Sequence, residues 1–370
     1  MAHHAPVICH FDKEKSMKLK PLALAALTLA AAAGAQAQSS VTLFGVVDAS
    51  LVRMSSDTNS VTGLSSGGQS SSRLGFRGVE DLGGGLKAGF WLEGGLATDN
   101  GTAAGFRFDR RSTVSISGGF GEVRLGRDKS PAYLNIETFD PFGDSGVGGN
   151  NGANMVGSAS SAAGTPEGSA PKRTSNGLNY LLPEMGGFYG QLQYALGEQP
   201  SNQVNKRMGN SLALRAGYAN GPLNVAVAFG ETRGGVATAS SVDYKASNVG
   251  VSYSFGVVKP MALFATERGA GRRVDMFTLG ATVPLGVGEL RASYVNFKRK
   301  DVNNADSQKF AIGYGHNLSK RTQLYATVAR ISNDRAATRG LAVSSSSLGS
   351  PTIGAGNDVT GYEFGVRHTF

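Results

Sequence analysis

From Asp128 to Asn151 the chain reads DKSPAYLNIETFDPFGDSGVGGNN, then runs through Gly, Ser and Ala to APKR, ending at Arg173. It is the one long segment that does not alternate like a strand. On both sides short strands of period two follow one another, so an insertion of this size needs a place that leaves the series intact. Space enclosed by a ring of strands is such a place. The expectation is a closed barrel with segment 128–173 folded inward. Asp140 and Asp144 would then face a wall of arginines across the narrowest point of a channel.

Composition agrees with a barrel. Gly makes up 53 of 370 residues and charged side chains 17%, the first about twice and the second well below ordinary usage. No apolar run reaches the roughly 20 residues that a membrane helix requires. A chain bound for a bilayer without such a helix crosses it as a β-barrel, which alone among sheets pairs every backbone group.

Met17-Lys18-Leu19-Lys20, the apolar run Pro21 to Ala33 and Ala35-Gln36-Ala37 form the basic start, short apolar core and small-x-small site of an export signal. Residues 17–37 are therefore expected to be removed after Ala37, with a mature start at Gln38. Residues 1–16 read as a misassigned upstream start or a cloning scar, and 38–370 as the barrel. Nothing downstream reads as helical, so a buried helix at 21–33 would have nothing to pack on. Cleavage takes away Cys9, the sole cysteine, and with it disulfides, thiol catalysis and cysteine metal sites. It also takes 4 of 36 basic and 2 of 27 acidic residues, leaving +7. No basic cluster suggests nucleic acid, and an exported chain meets none; a basic channel interior uses that charge better.

Strand-like runs are expected at 41–49, 70–81 and 86–95, the first two separated by a polar loop at 55–68. Others follow at 108–118, 121–127, 175–182, 188–197, 210–220, 223–232, 244–255, 259–268, 273–284, 288–298, 307–317, 321–332 and 358–370, making sixteen in all. Turns of a few residues alternate with longer loops, as in outer-membrane barrels with short periplasmic turns. Leu212, Leu214 and Tyr218 share one face while Ser211, Ala213 and Arg215 share the other, so lipid and water are the expected neighbours. A soluble sandwich would alternate in the same way. Phe188, Tyr218, Tyr253, Phe255, Tyr294, Phe297, Tyr314 and Phe370 lie where an interface girdle belongs, and Trp91 is expected as a girdle or subunit-contact aromatic. His316 and His368 have no carboxylate placed for catalysis. Gly83-Gly84-Gly85 lacks the following helix of a phosphate loop. Neither an enzyme nor a cofactor is expected.

The mature start SSVTLFGVVDASL, the block SSSRLGFRGVEDLGGGLKAGFWLEGG, GFGEVRLGR leading into SPAYLNIETFDPFG, LSKRTQLYATVA and the terminal YEFGVRHTF together resemble Gram-negative general diffusion porins of the β-proteobacterial type. The resemblance spans the mature chain. It implies an all-β fold: a sixteen-stranded antiparallel transmembrane β-barrel with an inward-folded third extracellular loop. It further implies a homotrimer among outer-membrane lipid and lipopolysaccharide, passing small hydrophilic solutes and ions passively. Phe370 resembles the C-terminal signal read by the barrel-insertion machinery.

Matched position by position, the resemblance puts Arg73, Arg110 with the adjacent Arg111, and Arg173 on the basic wall of a pore constriction. Asp140, Asp144 and Glu137 are the acidic candidates on the loop. Relatives carry Pro-Glu-Phe-Gly-Gly where this chain has Pro141-Phe142-Gly143-Asp144, and Val46 takes a wall position that is lysine in some of them. Arginines facing carboxylates across a narrow passage leave a strong transverse field, and the sign in excess sets ion preference. Three arginines against two aspartates, with the mature charge of +7, favour anions modestly. Two alternatives keep the barrel. One is a substrate-specific channel using the room at 148–172; the other is a closed surface or adhesive protein working through loops 55–68, 233–243 and 333–357.

Overall fold

The computed structural model describes residues 40–101, 107–153, 155–156, 171–235, 241–343 and 348–370. The expected leader at 17–37 and the segment before it lie outside the described residues, as does most of the loop tail. Period-two patterning over these residues makes seventeen strands. They are β1 (Ser40–Ser56), β2 (Ser60–Ser66), β3 (Arg73–Gly83), β4 (Leu86–Gly95), β5 (Arg111–Gly118), β6 (Gly121–Lys129), β7 (Arg173–Leu181), β8 (Phe188–Ala195) and β9 (Ser211–Asn220). Then come β10 (Leu223–Gly235), β11 (Ser241–Tyr253), β12 (Lys259–Gly269), β13 (Arg272–Leu285), β14 (Gly288–Arg299), β15 (Ser307–Asn317), β16 (Thr322–Asn333) and β17 (Val359–Thr369).

All pairings are antiparallel between neighbours, and β1 closes the ring on β17 from Val46↔Thr369 to Ser56↔Val359. The other edge of β1 meets β3 near its start (Val46↔Arg73) and β2 further on (Ala49↔Ser66). β2 and β3 thus fill one position, and seventeen strands make a closed barrel of sixteen. This revises the expected loop at 55–68, most of which is strand. Its Ser- and Gly-rich sequence hides a hairpin whose backbone is paired regardless of side chain. The break at 67–72 begins with Gly67 at φ +81° and is held by the Asp48 carboxylate, which accepts from the N–H groups of Gln69 and Ser70 at 3.0 and 2.7 Å.

Leu43, Val47, Leu51, Leu212, Leu214, Phe264, Phe277 and Phe310 are exposed on the outside, while Asp48, Ser50, Ser211, Ala213 and Thr278 are buried inside. Such an apolar exterior suits hydrocarbon. Phe188 with Tyr218, Tyr253 with Phe255, and Tyr294 with Phe310 pair at centroid distances of 4.7–4.8 Å, as girdle aromatics would. Phe297 departs from that expectation: it is 1% exposed and faces inward, with the Arg339 guanidinium 4.0 Å above its ring.

The inner face is buried by two loops. After β6 the chain forms helix α1 (Pro131–Thr138), which the sequence reading did not anticipate. Ser130 caps it, accepting from the Tyr133 N–H at 3.2 Å, and Pro131 opens the first turn, the favoured start for a helix. Eight residues are too few to be stable alone, so packing holds it. Ala132, Ile136 and Phe139 bury against Ala226, Ala246, Leu263 and Met276 of β10–β13. The Asn135 amide donates to Ala226 O at 3.2 Å and Asn248 Oδ1 at 2.7 Å. Beyond the helix, Phe142 and Val147 join Val52, Met54, Ile331 and Leu341 in a second cluster. Leu341 and Arg339 belong to the segment between β16 and β17, so the surface loop expected at 333–357 turns inward at these residues.

Candidate functional site

Where the loops do not fill the barrel, a cavity of about 590 Å³ remains between α1 and the strands β1 and β3–β7. Six cationic side chains line it (Arg73, Arg110, Arg111, Arg124, Lys129 and Arg173) against three acidic ones, Glu93, Asp128 and Glu137. Strand pairing puts them there. Val46 opposite Arg73, Arg73 opposite Gly95, Glu93 opposite Arg111 and Lys129 opposite Arg173 form one inward band around six strands.

The arginines are spread along the wall, with Glu93 shared by Arg73 and Arg110 and Asp128 shared by Arg111 and Arg124. Arg110 Nε lies 2.6 Å from Glu93 Oε1 and Arg73 Nε 3.8 Å from the same oxygen. Arg173 Nε donates to the carbonyl of Arg110 at 2.8 Å. Arg111 approaches Asp128 at 3.8 Å, and Arg124 reaches Asp128 at 3.1 Å and Glu122 at 2.7 Å. On the loop side Glu137 pairs with Lys129, 2.5 Å from Nζ.

All four sequence-derived arginines therefore meet in one cavity, and Glu137 faces them. Asp140 and Asp144 do not line it. Asp140, 5% exposed, accepts from the backbone N–H groups of Phe142, Asp144 and Asn150 at 3.1, 2.8 and 2.7 Å. Asp144 has a side chain 2% exposed, bonded to Lys172 Nζ at 2.7 Å, the Tyr133 hydroxyl at 3.1 Å and Asn151 N–H at 3.0 Å. Both organise the turn: a short acid followed by Pro-Phe-Gly satisfies its own backbone. Burial, aided by the neighbouring Asp144 charge and opposed by the three N–H donors, pushes the Asp140 carboxyl up to about 6. Burial and Asp144 likewise hold the Tyr133 phenol above its ordinary value.

Residues the sequence reading passed over include Glu93, Asp128, Lys129 and Arg124. Glu93 follows Trp91 by two in β4 and so shares its face, a signal that alternation offered. Trp91 itself faces inward and lines the cavity. It departs from the girdle expectation because its register partner Arg77 lies on the inner face. The loop is fixed on its far side by buried ions: Glu363 accepts from Val147 N–H at 3.0 Å, and Lys309 Nζ donates to the Gly149 carbonyl.

Comparison with known proteins places this geometry. Residues 23–336 match the family model described as Gram-negative porin. Over 345 residues the chain is 40% identical to outer membrane porin protein 32 of Delftia acidovorans, covering 90% of this chain and 95% of that protein. An outer membrane porin protein of Bordetella pertussis is 31% identical over 352 residues, covering 79% and 88%. The solved anion-selective porin from Comamonas acidovorans superposes with a TM-score of 0.82 at 37% identity, over 90% of this chain and all of that one.

Proposed function

Because the chain belongs to the Gram-negative porin family and its barrel is that of an outer-membrane porin, we propose that it conducts small hydrophilic solutes with a preference for anions, and that the cavity beside α1 is its constriction. The excess of six cationic over three acidic side chains in that cavity carries the proposal. Arginine stays charged at every relevant pH, and a narrow low-dielectric passage magnifies whichever sign is in excess. Arg73, Arg110, Arg111 and Arg173 form the basic wall and Glu137 the acidic loop side; Asp140 and Asp144 shape the loop. The working unit is a homotrimer, in line with the sequence resemblance.

The test is single-channel recording of the refolded mature protein in a planar bilayer under a salt gradient. Current steps in threes and a zero-current potential on the anion side are expected, and Arg73→Glu moves that potential toward cations. A folded barrel that carries no current would overturn the channel reading and favour a closed surface protein. A cation-side potential would overturn the ion preference alone.

A further inference from the structure

Trp91 holds two arginines at once. The Arg111 guanidinium lies 4.5 Å and that of Arg77 5.2 Å from the indole centroid, and Arg77 is also 5.5 Å from the ring of Phe44. Phe44 meets Trp91 edge-on at 4.9 Å, and the indole N–H donates to Glu93 Oε2 at 3.1 Å. That bond keys the indole to the carboxylate that holds Arg110. Arg111 belongs to the cavity, whereas Arg77 lies outside its lining, four residues beyond Arg73 on β3 toward the short turn at Gly84. At about 3.3 Å per residue this is a separation of roughly 13 Å. Among the described residues Arg77 pairs with no carboxylate, and its side chain is exposed. Two rings keep its charge on the wall.

We propose that Trp91 is a specificity-determining residue that continues the cationic face of the constriction toward the short-turn mouth, holding Arg111 and Arg77 as successive contacts for a passing anion. A guanidinium stacked on a ring uses its face for that contact and keeps its N–H edge for a solute. Without the ring, an exposed arginine swings through many rotamers and its charge is averaged over the opening. The inference rests on the anion-preferring channel proposed above.

The test is a double-mutant comparison of Trp91→Leu, Arg77→Gln and the pair, read as the anion-to-cation permeability ratio from zero-current potentials in KCl gradients. Arg77→Gln lowers the ratio, because it removes a full positive charge from the channel wall. Trp91→Leu lowers it at least as much, and adding Arg77→Gln changes it little further, because the ring acts through that arginine. Trp91→Phe, which keeps a ring, retains more of the preference than Trp91→Leu. Arg77 is exposed, so its replacement leaves folding intact and gives a reading even where Trp91→Leu fails to refold. An unchanged ratio in Arg77→Gln, or effects of Trp91→Leu and Arg77→Gln that simply add, overturns the proposal. Wild-type protein without anion preference would instead defeat the underlying channel reading.

Discussion

Asp140 links the ionisation of one carboxyl to the shape of a whole loop, since its two oxygens gather N–H groups from residues 142, 144 and 150. Its folded pKa of about 6 lies above the ordinary 3.8 of an aspartate, so the folded state holds the proton more tightly than the unfolded chain. Loop stability is therefore greatest below pH 4, falls as pH rises from about 4 to 6, and is flat above that. Hydrogen exchange at Asn150 N–H, corrected for intrinsic rate, is expected to quicken across that window, and a flat profile would refute the assignment. Asp140→Asn abolishes the pH dependence. It also leaves an amide NH₂ facing backbone donors, which costs about 1–3 kcal/mol of loop stability. The sequence displayed this acid plainly but not its direction. Asp before Pro-Phe-Gly serves equally to close a turn or to line a pore, and only the position of Asn150, ten residues on, decides between them.

At the scale of elements, the helix and the turn after it stay in place through packing. Phe139, fully buried, fits the space left by a missing side chain on β11: a Cβ at Gly250 would fall 2.0 Å from its ring. Phe139→Ala is expected to cost about 3–5 kcal/mol of docking, leaving the strand ladders paired. Open-channel current noise and proteolysis within 131–152 should rise while the heat transition of the barrel stays put. Gly250→Ala should give the same result from the wall side. A parallel loss of barrel stability would mean that loop and wall form a single cooperative unit. Most strands were readable because lipid outside and polar groups inside impose period two on them. β2 was misread because Ser60 to Ser66 carries little apolar contrast, and α1 because its eight residues, about two turns, give too short a period. The inward turn at Arg339 and Leu341 left no local signature, since these two are covered by partners on distant strands.

For the whole molecule, the count of sixteen followed from turns that alternate short and long, a regularity that survives local misreading. Closure is less visible in sequence, because it depends on residues more than three hundred positions apart. Gly45 and Phe370 exchange backbone hydrogen bonds at 3.0 and 3.1 Å, and the Phe370 ring covers the face of Gly45. Phe370→Ala is expected to lower barrel stability by about 1–2 kcal/mol, less than for a fully buried phenylalanine, read as an earlier loss of the heat-modifiable folded band on a gel. Unchanged heat resistance would show that the ring contributes nothing to the seam. Because β1 must pair with both β3 and β17, its second edge stays open until the last residues of the chain arrive. Such long-range pairing is slow, and a sheet with a bare edge is a template for wrong partners. The order of synthesis thus makes the first strand wait for the last, and through that interval the chain carries an unpaired edge, whatever the stability of the finished ring.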